Sequence, residues 1–182
     1  MRWLFSKERG ALDPKRLYFF DESGIDLSMT RAYARSPQGN RVEGFVPKNW
    51  GVNVTLTAGI GHAGLIAPMM LQGAMTGEIF EAYVEQFVLR ELKEGDVVVM
   101  DNLAVHKRKA VADLIESIGA TLLFLPPYSP DMNPIELAWS KIKAILRTAG
   151  ARTYEELEAA VVAAINAVTC DDIKGWFFHA GY

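Results

Sequence analysis

Three carboxylates in this chain stand where acid side chains do chemistry. Asp21 follows the apolar run "RLYFF", Asp101 follows the β-branched run "VVVM", and Glu136 lies in "NPIELAW", at the start of a helix-forming stretch. Thirty-four residues separate Asp101 from Glu136. The end of a central strand is where α/β folds place their ligands. Carboxylate oxygens with no histidine or thiol among them suit a hard ion such as Mg²⁺ or Mn²⁺. Two such ions about 3.5 to 4 Å apart activate the attacking oxygen and stabilise the leaving oxygen of a phosphodiester.

Each acid also has a local explanation. Asp101 can cap the helix after it, because aspartate is a good N-cap. Glu136 falls at the third position of a helix whose cap would be Asn133 and whose first residue would be Pro134, where glutamate is favoured by capping and by the helix dipole. Glu22 competes with Asp21 for the first place, and Asp21 is preferred because it follows the apolar run directly. Asn102 and His106 are supporting candidates behind the second aspartate. His106 with Lys107 could reach a scissile phosphate or orient a metal ligand, and a histidine there can equally satisfy a backbone carbonyl. His62 and His179 are expected to be structural, and Tyr128 and Trp139 to pack rather than stack on bases.

The elements that must position these residues are legible from periodicity. Strands are expected at 16–20, broken by "SG", then at 52–60 and 65–71 as a hairpin, at 97–100 and at 121–125. Helices are expected from Thr76, with Ile79, Phe80, Tyr83, Val84 and Phe87 on one face, from Lys107 to Ile118, and from Pro134 to about Thr148. "TYEE" at 153–156 is a capping box opening a long helix that turns Leu157, Val161, Val162 and Ile165 inward, with room for a further helix beyond. Three strands, helix, strand, helix, strand, helix predicts an α/β fold, a mixed five-stranded sheet with helices on both faces; this is the order of the ribonuclease H-like fold, and other three-layer α/β folds share parts of it. In such a sheet the first and fourth strands are neighbours, which brings Asp21 and Asp101 together.

Composition narrows the class. The 182 residues, 50% of them hydrophobic, suit one domain, and the formal charge of −3 argues against binding nucleic acid through net charge. The single cysteine, Cys170, excludes a disulfide framework and a thiolate zinc cluster. It is expected to be a small buried residue in a reduced, cytoplasmic protein. No apolar run reaches the length of a membrane span or a signal peptide. Phosphate contacts would then come from local basic side chains flanking the acids, among them Lys107, Arg108 and Lys141.

The segments "YFFDES", "VVVMDNLAVHK" and "YSPDMNPIE" occur in that order, and together they resemble the DDE transposases of the mariner-like superfamily, in its bacterial insertion-sequence (IS-six-thirty) branch. The resemblance runs from about Arg16 to the final "WFFHAGY". It implies an N-terminal remnant or linker over 1–15 and a ribonuclease H-like catalytic domain over 16–182, with C-terminal helices over 153–182. It implies Asp21, Asp101 and Glu136 as the metal-binding triad, holding two Mg²⁺ or Mn²⁺ ions when DNA is bound. It further implies a basic hairpin over 25–50 that contacts DNA through Arg31, Arg35, Arg41 and Lys48, insertion at TA dinucleotides, and a homodimer on DNA in a nucleoid-associated protein. Complete members carry helix-turn-helix modules before the first aspartate. Either the transposase is split across two reading frames, with a separate helix-turn-helix polypeptide as partner, or the chain is truncated at its front. In both cases this chain is expected to bind DNA with little sequence preference. The same triad would serve a purely hydrolytic nuclease, or survive in an idle regulator that binds DNA.

Overall fold

The computed structural model describes residues 12–48 and 51–182. Strands β1 (Leu17–Ile25), β2 (Val54–Gly61) and β3 (Gly64–Gln72) are followed by helix α1 (Gly77–Gln86), β4 (Val97–Met100), α2 (Lys109–Ser117), β5 (Thr121–Phe124), α3 (Ile135–Ala149), α4 (Tyr154–Asn166) and α5 (Cys170–Ala180). They form one mixed sheet in the order β3-β2-β1-β4-β5. The first three strands are antiparallel, and β4 runs parallel to both β1 and β5.

The two faces of the sheet carry two cores, and strand alternation decides which residue goes where. On β1, Leu17 and Phe19 pack with α3, α4 and α5, whereas Phe20 packs with α1 and α2. On β4, Val99 joins the first core while Val98 and Met100 join the second. Phe19 meets Phe177 of α5 edge to face at 5.7 Å and Tyr182 at 4.9 Å, which seats the C-terminal end on the sheet. Capping boxes at Thr153 with Glu156 and at Thr169 with Asp172 open α4 and α5 as separate helices. No helix among the described residues is long and apolar enough to cross a membrane.

Several expectations need correction. β1 does not break at Ser23 and Gly24, because β2 pairs it through Ser23↔Leu56, Gly24↔Thr55 and Ile25↔Val54. The expected basic hairpin over 25–50 holds no strand among its described residues beyond Ile25. It is an irregular exposed segment with a turn closed by Asn40 N–H to the Pro37 carbonyl at 3.1 Å, and Asn49 and Trp50 lie outside the described residues. Helix α3 begins at Ile135 with Pro134 as its cap, one residue later than predicted. Cys170 is exposed rather than buried, since it opens α5 on the solvent side. Phe87 and Val162 face solvent although helical spacing put them inward, because the chain leaves α1 at Phe87 and α4 presents only a narrow stripe to the core.

Candidate active site

Register brings the first two acids together. The β1–β4 ladder pairs Leu17↔Val97, Tyr18↔Val98 and Phe19↔Val99, and two residues further on the same alignment sets Asp21 against Asp101. β4 stops at Met100, so Asp101 stands just past the strand end. Asp21 shares the alternation phase of Leu17 and Phe19 and therefore projects on the side of α3. That helix lies on the sheet through Ile135, Ala138, Trp139 and Ile142, which carries Glu136 to the same place. Asp21, Asp101 and Glu136 line one cleft of about 480 Å³, together with Asn102, Leu103, Asn133 and the loop from Leu125 to Pro130.

The supports of each acid differ. Asp21 accepts a hydrogen bond from Trp139 Nε1 at 3.3 Å. Burial, reinforced by the Glu136, Glu22 and Asp101 carboxylates, pushes Asp21 up to about 7 against a backbone hydrogen bond that works the other way. Asp101 does not cap a helix, because α2 starts only at Lys109 with Arg108 as its cap. Its Oδ1 accepts from the Leu103 N–H at 2.9 Å and lies 2.7 Å from His106 Nδ1. Burial works to raise Asp101, but these hydrogen bonds and the nearby positive charge outweigh it and hold the carboxyl below the usual range. Burial likewise works to lower His106, yet its hydrogen bonds to Asp101 and Glu22 raise it to about 9. A carboxylate at each ring nitrogen is an arrangement that favours the charged form of the ring.

Other predicted residues fall at varied distances from the cleft. Asn102 donates from Nδ2 to the Leu125 carbonyl, which ties the turn after β4 to the end of β5. Lys107 is exposed. Arg108 pairs with Glu81, and Lys141 pairs with Asp172, so both cations are already matched to acids. Arg31, Arg35, Arg41 and Lys48 are exposed along the irregular segment, with Arg31 Nε 3.3 Å from Thr148 Oγ1. Tyr128 does not pack as expected. It lines the cleft at 97% exposure, on a left-handed backbone with φ 55°.

Three residues were named in the sequence reading, and what they contact at the site was not. Trp139 was expected only to pack, yet its indole also bonds Asp21. Its place three residues after Glu136, on the same helix face, was the available signal. Glu22 contacts His106 across 84 positions, which no local pattern reveals. Asn133 is 4% exposed, and its Oδ1, at the edge of the cleft, has no hydrogen-bond partner among the described residues.

The donor set fits a hard divalent ion. The cleft offers three carboxylates, and Asp21 carries a like-charge burden that a cation would relieve. Among the described residues no three acid, histidine or cysteine side chains converge tightly enough to enclose an ion. Water and phosphate oxygens would complete the shell, as Mg²⁺ prefers.

A sheet in this order, covered on both faces and carrying acids where β4 ends beside the middle of β1, defines a ribonuclease H-like domain. The chain belongs to the DDE superfamily endonucleases, whose family model matches residues 16–158. Comparison with curated protein sequences gives no match. Among solved structures, the Mos1 strand transfer complex matches with a TM-score of 0.77 at 16% identity, covering 97% of this chain and 55% of that one. The mariner Mos1 paired end complex with Mg matches at 0.76 and 16% identity, covering 98% and 57%. The catalytic domain of Mos1 mariner transposase matches at 0.64 and 16% identity, covering 97% and 82%. At these identities the likeness is one of fold. The chain spans about half the length of the Mos1 chains in the two complexes.

Proposed function

We propose that this chain is the catalytic part of a DNA transposase of the mariner-like superfamily, in its insertion-sequence branch, which frees a 3′-OH at the element end and joins it to target DNA. The observation that carries the reading is the convergence of Asp21, Asp101 and Glu136 on one cleft. The family, and neighbours whose names include strand transfer and paired-end complexes, support DNA as the substrate and a dimer on DNA as the working assembly. Neighbouring structures carrying Mg or Mn support a divalent ion.

In this reading Asp21, Asp101 and Glu136 would hold the ions, whose positive charge would stabilise the attacking and leaving oxygens. The chain's own residues prepare the site. Trp139 fixes Asp21, the Leu103 N–H and His106 fix Asp101, and the first turn of α3 presents Glu136. Exposed cations such as Lys107, Arg35 and Arg41 meet phosphates and give affinity without reading bases. Insertion at TA and a nucleoid-associated cytoplasmic location follow from the resemblance and belong to the same proposal.

A strand-transfer assay with pre-cleaved duplex ends in Mn²⁺ tests it. Joined products support a transposase. Nicked target without joining indicates a hydrolytic nuclease, and DNA binding without either product indicates an idle regulator.

A further inference from the structure

Strand alternation sends Glu22 to the opposite face of the sheet from Asp21, away from the cleft. There its side chain is 11% exposed, and both carboxylate oxygens lie 3.1 Å from Nε2 of His106. The imidazole is fully buried, with the Phe80 ring 4.6 Å away, and its Nδ1 lies 2.7 Å from Asp101 Oδ1. Both ring nitrogens are thus engaged by carboxylates. His106 has no nitrogen left for a phosphate or a water, so its place is that of a spacer between two acids.

Asp101 needs such a spacer. It follows the last residue of β4, where the ladder no longer holds the backbone, and its side chain is 39% exposed. Among the described residues, its hydrogen bonds with Leu103 and His106 both fall on Oδ1. Oδ2 is then the oxygen available to a ligand. Glu22 is paired in β1 to Thr57 of β2 and stands on one of the best-anchored strands in the sheet.

We propose that Glu22 is a positioning residue that acts through His106 to fix the Asp101 carboxylate. The position of a central strand is thereby transmitted to an acid that lies beyond a strand end. This rests on the reading of Asp101 as a metal ligand. Partners of this kind behind a ligand typically cost 10- to 100-fold in metal affinity when removed.

Mn²⁺ affinity, measured by calorimetry on the full chain, tests the relay. Wild type is compared with Glu22→Leu, Glu22→Gln, His106→Gln, the double variant Glu22→Leu/His106→Gln, and Asp101→Asn, each shown by circular dichroism to be folded at the titration temperature. Glu22→Leu should bind about 10- to 100-fold more weakly. Glu22→Gln, which keeps an acceptor for Nε2, should lose less, and it carries the same cycle with His106→Gln should the leucine variant not fold. Because Glu22 acts only through His106, the double variant should bind within about twofold of His106→Gln alone. Two results overturn the relay: Glu22 variants that bind like wild type, or a Glu22 loss that persists in full when His106 is already replaced, which would make Glu22 a ligand itself. Wild-type affinity in Asp101→Asn would instead remove the metal-ligand reading on which the relay stands.

Discussion

The indole Nε1–H of Trp139 donates to Oδ2 of Asp21 across 3.3 Å, tying helix α3 to strand β1 at the first of the three cleft acids. Trp139 is 4% exposed, so the bond sits at the boundary of core and cleft. Trp139→Phe keeps most of the apolar contact and removes the indole donor from Asp21. The variant should lose about 1 to 3 kcal/mol in urea unfolding and bind Mn²⁺ more weakly. Mn²⁺ affinity equal to wild type would show that the indole only packs.

Gly59 on β2 lies under the Phe20 ring, one residue before Asp21. A methyl group there would overlap that ring and come within 2.9 Å of Ile66 Cγ1. Overpacking of this kind typically costs about 1 to 3 kcal/mol. Gly59→Ala should therefore unfold at lower urea with an unchanged slope, and no change in midpoint would mean that Phe20 moves aside freely.

The Lys141 ammonium, followed by the Thr169 backbone and hydroxyl, holds Asp172 down to about 2 from 3.8. A folded value below the unfolded one makes stability present above about pH 4 and lost as pH falls through about 2. Urea midpoints of wild type and Asp172→Asn should differ by a constant amount above pH 5 and converge towards pH 2. A gap that stays constant across that window would remove the ion pair and capping box as its cause.

Arg35 and Arg41 are exposed on the irregular segment between β1 and β2. If they meet phosphates, reversing both to glutamate should make the log–log salt dependence of DNA affinity shallower by about 0.9 for each phosphate that is no longer neutralised. Fluorescence anisotropy at several salt concentrations, on element-end and scrambled duplexes, reads this directly. The preference between the two duplexes should not change, and an unaltered slope would place the DNA elsewhere.

Much of the site was legible because it depends on strand periods and their ends. The β-branched run before Asp101 and the apolar run before Asp21 marked two strands, and their adjacency in the sheet puts the two acids level. The even–odd rule also separates Asp21 from Glu22, which adjacency in sequence alone could not do. What stayed hidden depends on distant pairing. Ser23 and Gly24 read as a breaker, yet β2 holds them extended. The Glu22–His106 contact needs the whole fold between its partners. Cys170 looked like a core residue by type, and its place at the start of a helix opened by the Thr169 and Asp172 box decided otherwise. The segment from 26 to 48 carries turn residues and charges without a period, so nothing in it could specify a hairpin register.

The most direct test of the central claim is Mn²⁺-dependent phosphodiester cleavage of duplex DNA by the chain and by Asp21→Asn, Asp101→Asn and Glu136→Gln, with each variant shown to be folded. Each acid is a candidate ligand of an ion that must stabilise charge at both reacting oxygens, so the account predicts losses of several orders of magnitude for every one. Cleavage by Asp101→Asn within about tenfold of wild type, a difference of only about 1.4 kcal/mol in the barrier, would contradict it.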